Sequence, residues 1–290
     1  EKVLFPRPLT VVYHDDDFYP LDSPLTALKF PGFNLIDIAR FGFVTLYLRL
    51  SRSWRSLEKE TAAGWLRRWY GKRLYKILWE PLLIGKFGPY FEEVNAAWFW
   101  ARAHARTTRL GTFEGGFHAF AESFAACLQE SGVRIRLSAA VEHISEDAQG
   151  GVQITCDGKS DRFDHCLVTT SPGILARMAP DLPEAYLEQL LQLKSMGAVV
   201  MVLALKHQLS EHGYYWHNLP KTAGYPFLAL VEHTNFLPAD HFGGEHIIYC
   251  GDYLVPDHEY FSLSKEELLE RFLPALERIN PAFERGWVRE

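Results

Sequence analysis

The sequence predicts a mixed α/β protein in which a helical region, a helix-and-strand segment and a helix-covered sheet follow one another. Apolar residues recur at helical spacing through residues 23–109. A paired-glycine turn, a helix and short strands follow over 113–172, and the continuous apolar run at 198–206 predicts a buried central strand. We therefore expect three domains, at residues 1–110, 111–175 and 176–290.

The composition excludes several classes of protein. The net charge of -6 argues against a nucleic-acid partner, because such proteins need a basic surface. The longest apolar run is far shorter than a membrane span, and no histidine or cysteine spacing predicts a metal site. The four cysteines form no C-x-x-C pair, so we expect reduced thiols and a cytoplasmic protein.

The first region predicts a hairpin and a layer of helices. Alternating strands at 10–13 and 18–21 flank an acidic turn at 14–17. Thr61 and Asn95 have the side chains and positions of helix caps. The first long helix should bury the apolar residues that recur three and four positions apart, namely Ile36, Ala39, Phe43, Leu46 and Leu50.

Residues 49–76 are strongly basic, with nine Lys or Arg against two Glu. A solvated helix face is one interpretation, and a surface that attracts anionic lipid or a carboxylate-bearing substrate is the other. The apolar stretch 41–50 lies between Arg40 and Arg49, so it suits a core helix or a helix lying on a membrane. We expect the core helix, and we leave a peripheral membrane contact open.

The middle segment predicts a ligand-binding arrangement of helix and strands. Gly115 and Gly116 open a helix that Gly132 ends, and residues 133–137 then alternate like a half-buried strand. Helix, turn and strand in this order predict a crossover that adds a strand to a parallel sheet. A further strand at 165–169 leads into Thr170, Ser171 and Pro172, small residues that let a ligand approach the backbone closely.

The last region predicts a sheet with helices on it. After a helix over 174–193 and the strand at 198–206, further strands are expected at 214–217, 227–232 and 246–253. Ser264 and Glu267 form a capping-box pattern for a helix that Asn280 and Pro281 should end.

The ordered series of motifs resembles the flavin-containing amine oxidase superfamily, which includes protoporphyrinogen oxidase, phytoene desaturase and monoamine oxidase. The motifs are Gly115-Gly116, Gly132-Val133-Arg134-Ile135, Val141-x-x-Ile144 and Thr169-Thr170-Ser171-Pro172. The resemblance implies a helical cap at 1–110, part of an FAD domain at 111–175 and a substrate-domain sheet at 176–290. It also implies that the Val141 backbone contacts the adenine of FAD, with Gly115, Gly116, Thr170 and Pro172 as further cofactor-binding residues.

The sequence departs from the family pattern at one point that matters for the cofactor. No G-x-G-x-x-G loop, which places the pyrophosphate on a helix N-terminus, occurs in these 290 residues. We therefore expect a fragment of a longer polypeptide that by itself binds FAD weakly or not at all.

The resemblance implies hydride transfer to the flavin from a C–H or C–N bond, and hence a large apolar substrate or an amine. The aromatic content of 14% suits a large apolar substrate. Catalytic residues and the oligomeric state are not predicted. The substrate-pocket candidates are the aromatic residues Trp98, Trp100, Tyr214 and Trp216.

Two alternative functions stay open. One is a flavoprotein of the UDP-galactopyranose mutase type, in which reduced flavin acts as a nucleophile without net oxidation. The other is a non-catalytic module that binds lipid or a protein partner through the basic segment 49–76.

Overall fold

The computed structural model describes residues 2–21 and 24–290, except for the side chains of residues 24 and 25. Two compact units are present: unit 1 comprises Glu1–Gly116 and Met196–Glu290, and unit 2 comprises Phe117–Ser195. The mixed fold class is confirmed, since both units combine helices with sheets. The three domains expected from the sequence, with boundaries at 110 and 175, follow the order of the motifs and not the compact units. That three-domain division stays a prediction.

The strands belong to three sheets. A two-stranded sheet pairs the first with the fourth strand, a six-stranded sheet has the order β3-β2-β9-β10-β11-β8, and a three-stranded sheet has the order β5-β6-β7. The bounds are β1 (Val3–Leu4), β2 (Thr10–His14), β3 (Asp17–Pro20), β4 (Thr112–Phe113), β5 (Val141–Glu146), β6 (Val152–Cys156), β7 (Lys159–Phe163), β8 (Gly197–Leu205), β9 (Trp216–Asn218), β10 (Ala229–Glu232) and β11 (His246–Leu254).

The helices follow the predicted order, with one division that the sequence pattern did not indicate. The region 174–193 contains two helices, because Pro180 and Pro183 interrupt the helical hydrogen bonds between them. The bounds are α1 (Pro24–Leu28), α2 (Leu35–Leu50), α3 (Ala62–Trp69), α4 (Lys72–Leu74), α5 (Glu80–Phe87), α6 (Ala96–His104), α7 (Gly116–Glu130), α8 (Pro172–Met178), α9 (Glu184–Leu191) and α10 (Lys265–Ile279).

The six-stranded sheet of unit 1 is antiparallel except where β2 runs parallel to β9. The predicted hairpin of β2 and β3 is confirmed, and Asp15 and Asp16 take the left-handed conformation of its turn, with φ of 48° and 62°. The prediction that residues 198–206 form a central buried strand is wrong. β8 is the last strand of the sheet order, and its alternate residues Val200 and Val202 are 57% and 53% exposed.

Helix α10 covers one face of this sheet, which we call the inner face. The Ser264–Glu267 capping box is confirmed, because the Ser264 hydroxyl accepts from the Glu267 amide at 3.2 Å and the Glu267 carboxylate accepts from the Ser264 amide at 2.9 Å. Apolar side chains of the helix and the inner face form one buried core, with members that include Leu203, Leu230, Cys250, Phe272 and Leu276.

Helices α2 to α6 form a second core within unit 1. Thr61 and Asn95 cap α3 and α6 as predicted, each accepting from a backbone amide of the first helical turn at 3.2 Å. The face that α2 buries differs from the predicted one: Asp37, Val44 and Leu48 are buried. The five residues expected in the core, Ile36, Ala39, Phe43, Leu46 and Leu50, are exposed instead.

Unit 2 contains α7, apart from its first residue, the three-stranded sheet, α8 and α9. The predicted strands at 133–137 and 165–169 do not form: neither stretch is paired in a sheet within the described residues. A parallel strand is stable only where a neighbouring strand accepts and donates its backbone hydrogen bonds. Leu137 and Leu167 accordingly lie 84% and 89% exposed.

Of the helices in residues 2–21 and 24–290, none has the length and apolar composition needed to cross a bilayer.

Candidate functional site

The face of the six-stranded sheet opposite α10 carries rows of apolar side chains, and we call it the outer face. Residues paired directly across neighbouring strands point to the same side of a sheet. One row of paired residues is Trp216, Val231, Tyr249 and Val202, and the next is Asn218, Ala229, Gly251 and Val200. These rows cross four strands without a charged side chain, and their polar groups are the Asn218 carboxamide, the Tyr249 hydroxyl and the Trp216 indole N–H. Val231 is buried within its row.

Small residues lie at the centre of the outer face, and large side chains surround them. Ala229 and Gly251, paired with each other, have almost no side chain, whereas Trp216, Tyr249 and Tyr253 project large rings beside them. Trp216 and Tyr253 are each 37% exposed, and Val200 and Val202 are more than half exposed. An exposed apolar surface with small residues at its centre is a shape that accommodates a flat apolar molecule.

Two side chains extend the outer face at its ends. The His233 ring lies 5.5 Å from the Tyr249 ring and 5.4 Å from that of Phe242, measured between centroids. Burial lowers the pKa of His233, which favours a neutral imidazole. At the other end, the Lys86 ammonium from α5 lies 4.0 Å from the centroid of the Tyr253 ring.

Beneath the outer face, Glu232 is a buried carboxylate that sequence reasoning missed. Its two oxygens accept from the backbone amides of Leu209 and Ser210 at 2.7 and 2.8 Å, and from the Asn235 side-chain amide at 2.8 Å. Burial raises its pKa to about 7, against the lowering effect of these hydrogen bonds. The sequence pattern of β10 gave no indication of this arrangement, because the two backbone donors lie in a loop more than twenty residues earlier.

The four predicted pocket residues do not converge. Trp216 lies on the outer face, where its indole nitrogen donates to Asn218 at 3.0 Å. The Tyr214 ring packs 5.9 Å from that of His217, whose buried side chain points to the inner face. Trp98 and Trp100 lie on different sides of α6: Trp98 packs on Phe87, whereas Trp100 donates to the Ser51 carbonyl at 3.0 Å. Their substrate-binding role stays a prediction.

The predicted FAD-binding residues occupy turns and element ends. Gly115 and Gly116 both have a φ of 78°, which permits the tight entry into α7. Val141 begins β5 beside an irregularity in its pairing with β6, and it is 37% exposed. Thr170 is exposed, and Pro172 begins α8, which packs against β5.

The match to a family model decides the relationship of this chain to known proteins. The model for flavin-containing amine oxidoreductases matches residues 3–288. The chain belongs to this family. No curated protein sequence matches the chain.

Several solved structures share the fold of this chain. An oxidoreductase from Methanosarcina mazei superposes with a TM-score of 0.69 at 16% identity, covering 97% of this chain and 68% of that one. A protein described as a protoporphyrinogen oxidase from Exiguobacterium sp. 255-15 gives 0.68 at 18% identity, with 96% and 66% covered. A reduced UDP-galactopyranose mutase gives 0.63 at 13% identity, with 97% and 63% covered. The chain spans about two thirds of the length of these proteins.

Family membership implies FAD, but the residues of this chain do not fit the whole cofactor. Val141, which the resemblance assigns to the adenine end, lies partly exposed at the start of β5, and its contact with the cofactor stays a prediction. No glycine-rich loop for the pyrophosphate occurs in these 290 residues, and the left-handed glycines 115 and 116 follow no G-x-G-x-x-G pattern.

Proposed function

We propose that this chain is the substrate-binding portion of an FAD-dependent oxidoreductase that oxidises a large apolar molecule or amine by hydride transfer to flavin. The observation that supports the proposal is the outer face of the sheet. Its paired rows offer Trp216, Tyr249, Val200 and Val202 around a centre of Ala229 and Gly251.

The residues of the outer face bind and orient the substrate and exclude water from it. Burial of apolar substrate surface supplies roughly 25 cal/mol per Å² of area removed from water. The rings of Trp216, Tyr249 and Tyr253 also offer π-faces to a planar molecule or to an ammonium group. Lys86 already lies over Tyr253, so an amine substrate would bind at the opposite end, near Trp216.

A nucleotide sugar, the substrate class of a mutase, fits the outer face less well. A diphosphate needs guanidinium, ammonium or backbone amide donors. The two paired rows present no guanidinium or ammonium group; their polar groups are the Asn218 carboxamide, the Tyr249 hydroxyl and the Trp216 indole N–H. The apolar character of these rows is why we favour oxidation of an apolar substrate over the mutase reaction.

The experiment is a binding titration that follows tryptophan fluorescence, with protoporphyrin IX, decylamine and UDP-galactose as probes. We expect protoporphyrin IX or decylamine to bind. Val202→Glu should weaken the binding of protoporphyrin IX at least tenfold, because it places a negative charge in the apolar row against a probe that carries carboxylates. Leu191→Glu is the control, because it also replaces an exposed aliphatic side chain by glutamate, in α9. Tighter binding of UDP-galactose, or equal binding by Val202→Glu, would overturn the proposal.

Cofactor binding by this chain alone is a second part of the proposal. We expect Val141, Gly115, Gly116, Thr170 and Pro172 to contribute to an FAD site that needs a phosphate loop as well. Titration of FAD into the 290-residue protein should leave the flavin fluorescence nearly unchanged. Stoichiometric flavin absorbance in the purified protein would contradict this expectation.

We also propose a cytoplasmic location, which rests on the cysteines. All four are free thiols in the described structure, and Cys156 and Cys250 are buried. Fractionation of expressing cells, followed by thiol labelling under denaturing conditions, tests this: oxidised cysteines would contradict it.

A further inference from the structure

Helix α2 carries a continuous apolar face that nothing in the described residues of unit 1 covers. We call it the exposed stripe; its residues are Leu35, Ile36, Ala39, Phe43, Leu46, Tyr47 and Leu50. The six larger side chains are between 51% and 81% exposed. At 3.6 residues per turn, all seven fall within about one third of the helix circumference, with no charged residue among them. An apolar surface of this extent marks a binding surface.

The orientation of the exposed stripe is fixed by the opposite side of α2. Val44 and Leu48 are buried in the helical core. Asn34 and Asp37 form a capping box, and the Asp37 carboxylate also lies 3.6 Å from the Arg73 guanidinium. Rotation of the helix to hide the stripe would break the core contacts of Val44 and Leu48 and the Asp37–Arg73 ion pair, so the stripe faces away from this core.

Arginines border the exposed stripe on both sides. Arg40 lies along one edge and Arg49 along the other, and Arg52 and Arg55 follow the end of the helix. The 20 residues 38–57 contain these four arginines and no Asp or Glu. No ion pair joins any of the four to an acidic side chain in the described residues, whereas Arg67 and Arg73 farther along are paired with Glu92 and Asp37.

Aromatic side chains and a groove continue the exposed stripe. Tyr47, Trp54 and Trp69 are all exposed, and rings with a polar group are favoured where apolar and aqueous surroundings meet. Beside the stripe lies an open groove of about 400 Å³, lined by Ala39, Arg40, Phe43, Val44, Arg68 and Trp69. The Arg40 guanidinium lies beside the apolar wall of the groove, whereas the Arg68 guanidinium is paired with Glu60. A phospholipid could place its acyl chain on that wall and its phosphate near Arg40.

The charge pattern distinguishes a lipid surface from a second copy of this chain. Two copies packed stripe to stripe would bring the arginines at both edges close to one another, and like charges at such edges are destabilising. An anionic bilayer instead takes the apolar side chains into its interface while its phosphates neutralise the arginines. At about 24 Å, a helix of this length lies in the interface rather than crossing it.

We infer that the exposed stripe of α2, with Arg40, Arg49, Arg52 and Arg55 at its edges, docks the protein on an anionic phospholipid bilayer. The inference goes beyond the proposed function, because the stripe and the outer face of the sheet are different surfaces.

Co-sedimentation with vesicles tests the inference. The 290-residue protein should sediment with vesicles of phosphatidylcholine mixed with phosphatidylglycerol, and at least tenfold less with phosphatidylcholine alone. Phe43→Glu should reduce binding tenfold or more, and so should the double change Arg49→Glu with Arg52→Glu. Binding should also weaken as the salt concentration rises.

Matched controls make each variant interpretable. Leu191→Glu and Arg177→Glu replace an exposed apolar and an exposed basic side chain of α9 and α8 by glutamate, and both should bind like the wild type. Arg49→Glu alone, which carries the same charge change as Arg177→Glu, should weaken binding. Circular dichroism should show that all variants are folded. Phe43→Glu should retain probe binding on the outer face, and Val202→Glu should retain vesicle binding, so the two proposals can fail separately.

Two results would overturn the inference. One is vesicle binding that Phe43→Glu and the double arginine change leave intact. The other is a concentration-dependent oligomer, measured by light scattering, that Phe43→Glu dissociates while vesicles fail to sediment the wild type; this would assign the stripe to a second copy.

Discussion

The Glu232 carboxylate, at the end of β10, accepts a hydrogen bond from the Ser210 backbone amide at 2.8 Å in the loop after β8. Both residues are buried, and the same carboxylate also accepts from the Leu209 amide. One side chain thus accepts the hydrogen bonds of two buried backbone amides of the loop, as the carbonyl groups of a neighbouring strand would otherwise do. Glu232 fixes this loop beneath the outer face of the sheet.

We predict that Glu232→Gln lowers the free energy of unfolding by about 1–3 kcal/mol. The glutamine amide group would turn a donor towards Leu209 or Ser210, where only an acceptor satisfies the backbone. Urea unfolding followed by circular dichroism measures the change. Glu245→Gln, at a partly exposed residue, is the control; an equal effect there would contradict the special role of Glu232.

Two buried groups should produce opposite pH effects that nearly cancel in the wild type. The pKa of Glu232 is raised by burial from 4.5 to about 7, so the folded state retains a proton and stability falls as pH rises through this window. The pKa of His217 is lowered by burial from 6.5 to about 4, so the folded state excludes a proton and stability rises as pH rises from 4 to 6.5.

The two variants separate these contributions. Between pH 4.5 and 6.5, Glu232→Gln should become more stable relative to the wild type as pH rises, by up to about 1.4 kcal/mol per pH unit. His217→Gln should become less stable relative to the wild type over the same range. Unfolding midpoints in urea at successive pH values measure both slopes, and parallel curves for all three proteins would contradict the prediction.

Two glycines near α2 should respond to alanine with opposite signs. Gly71 has a φ of 88° and a ψ of 160°, a conformation that only glycine adopts readily, and a side chain there would also meet Arg40. Gly71→Ala should therefore cost about 1–3 kcal/mol. Gly42 lies within α2 with open space beside it, so Gly42→Ala should stabilise the helix by about 0.5–1 kcal/mol. Thermal unfolding checks both signs.

Arg278 joins the end of α10 to the hairpin and to the loop before β10. Its guanidinium donates to the Ala223 carbonyl at 2.6 Å and to the Tyr13 hydroxyl, and lies 4.3 Å from the centroid of the Tyr225 ring. Arg278→Met should cost about 1–2 kcal/mol, since the planar donors and the cation–π contact are both lost. Arg278→Lys should recover part of this, and an unchanged unfolding midpoint in the Met variant would contradict the role.

Local hydrogen bonding explains which features the sequence predicted. The caps Thr61, Asn95 and Ser264 each bond within one helical turn, so residue type and position suffice. The hairpin of β2 and β3 depends similarly on its own turn. The family was likewise predicted from an ordered series of short sequence motifs.

Features set by distant residues were not predictable. Helix α2 is apolar on two sides, so spacing alone did not show that Val44 faces the core and Phe43 faces outwards. The edge position of β8 depends on the order of strands that follow it. The four aromatic pocket candidates were chosen by residue type, and only Trp216 lies on the outer face.

The edge position of β8 bears on how the protein behaves in concentrated solution. The C-terminal residues form hydrogen bonds with this edge only near the end of β8. The Ala204 amide donates to the Glu290 carbonyl at 2.9 Å, and the Lys206 amide donates to the Trp287 carbonyl at 2.8 Å. The earlier residues of β8 offer backbone donors and acceptors beside exposed valines, a combination that recruits further strands and leads to aggregation. Val200→Lys should interrupt that association and reduce aggregation of the purified protein.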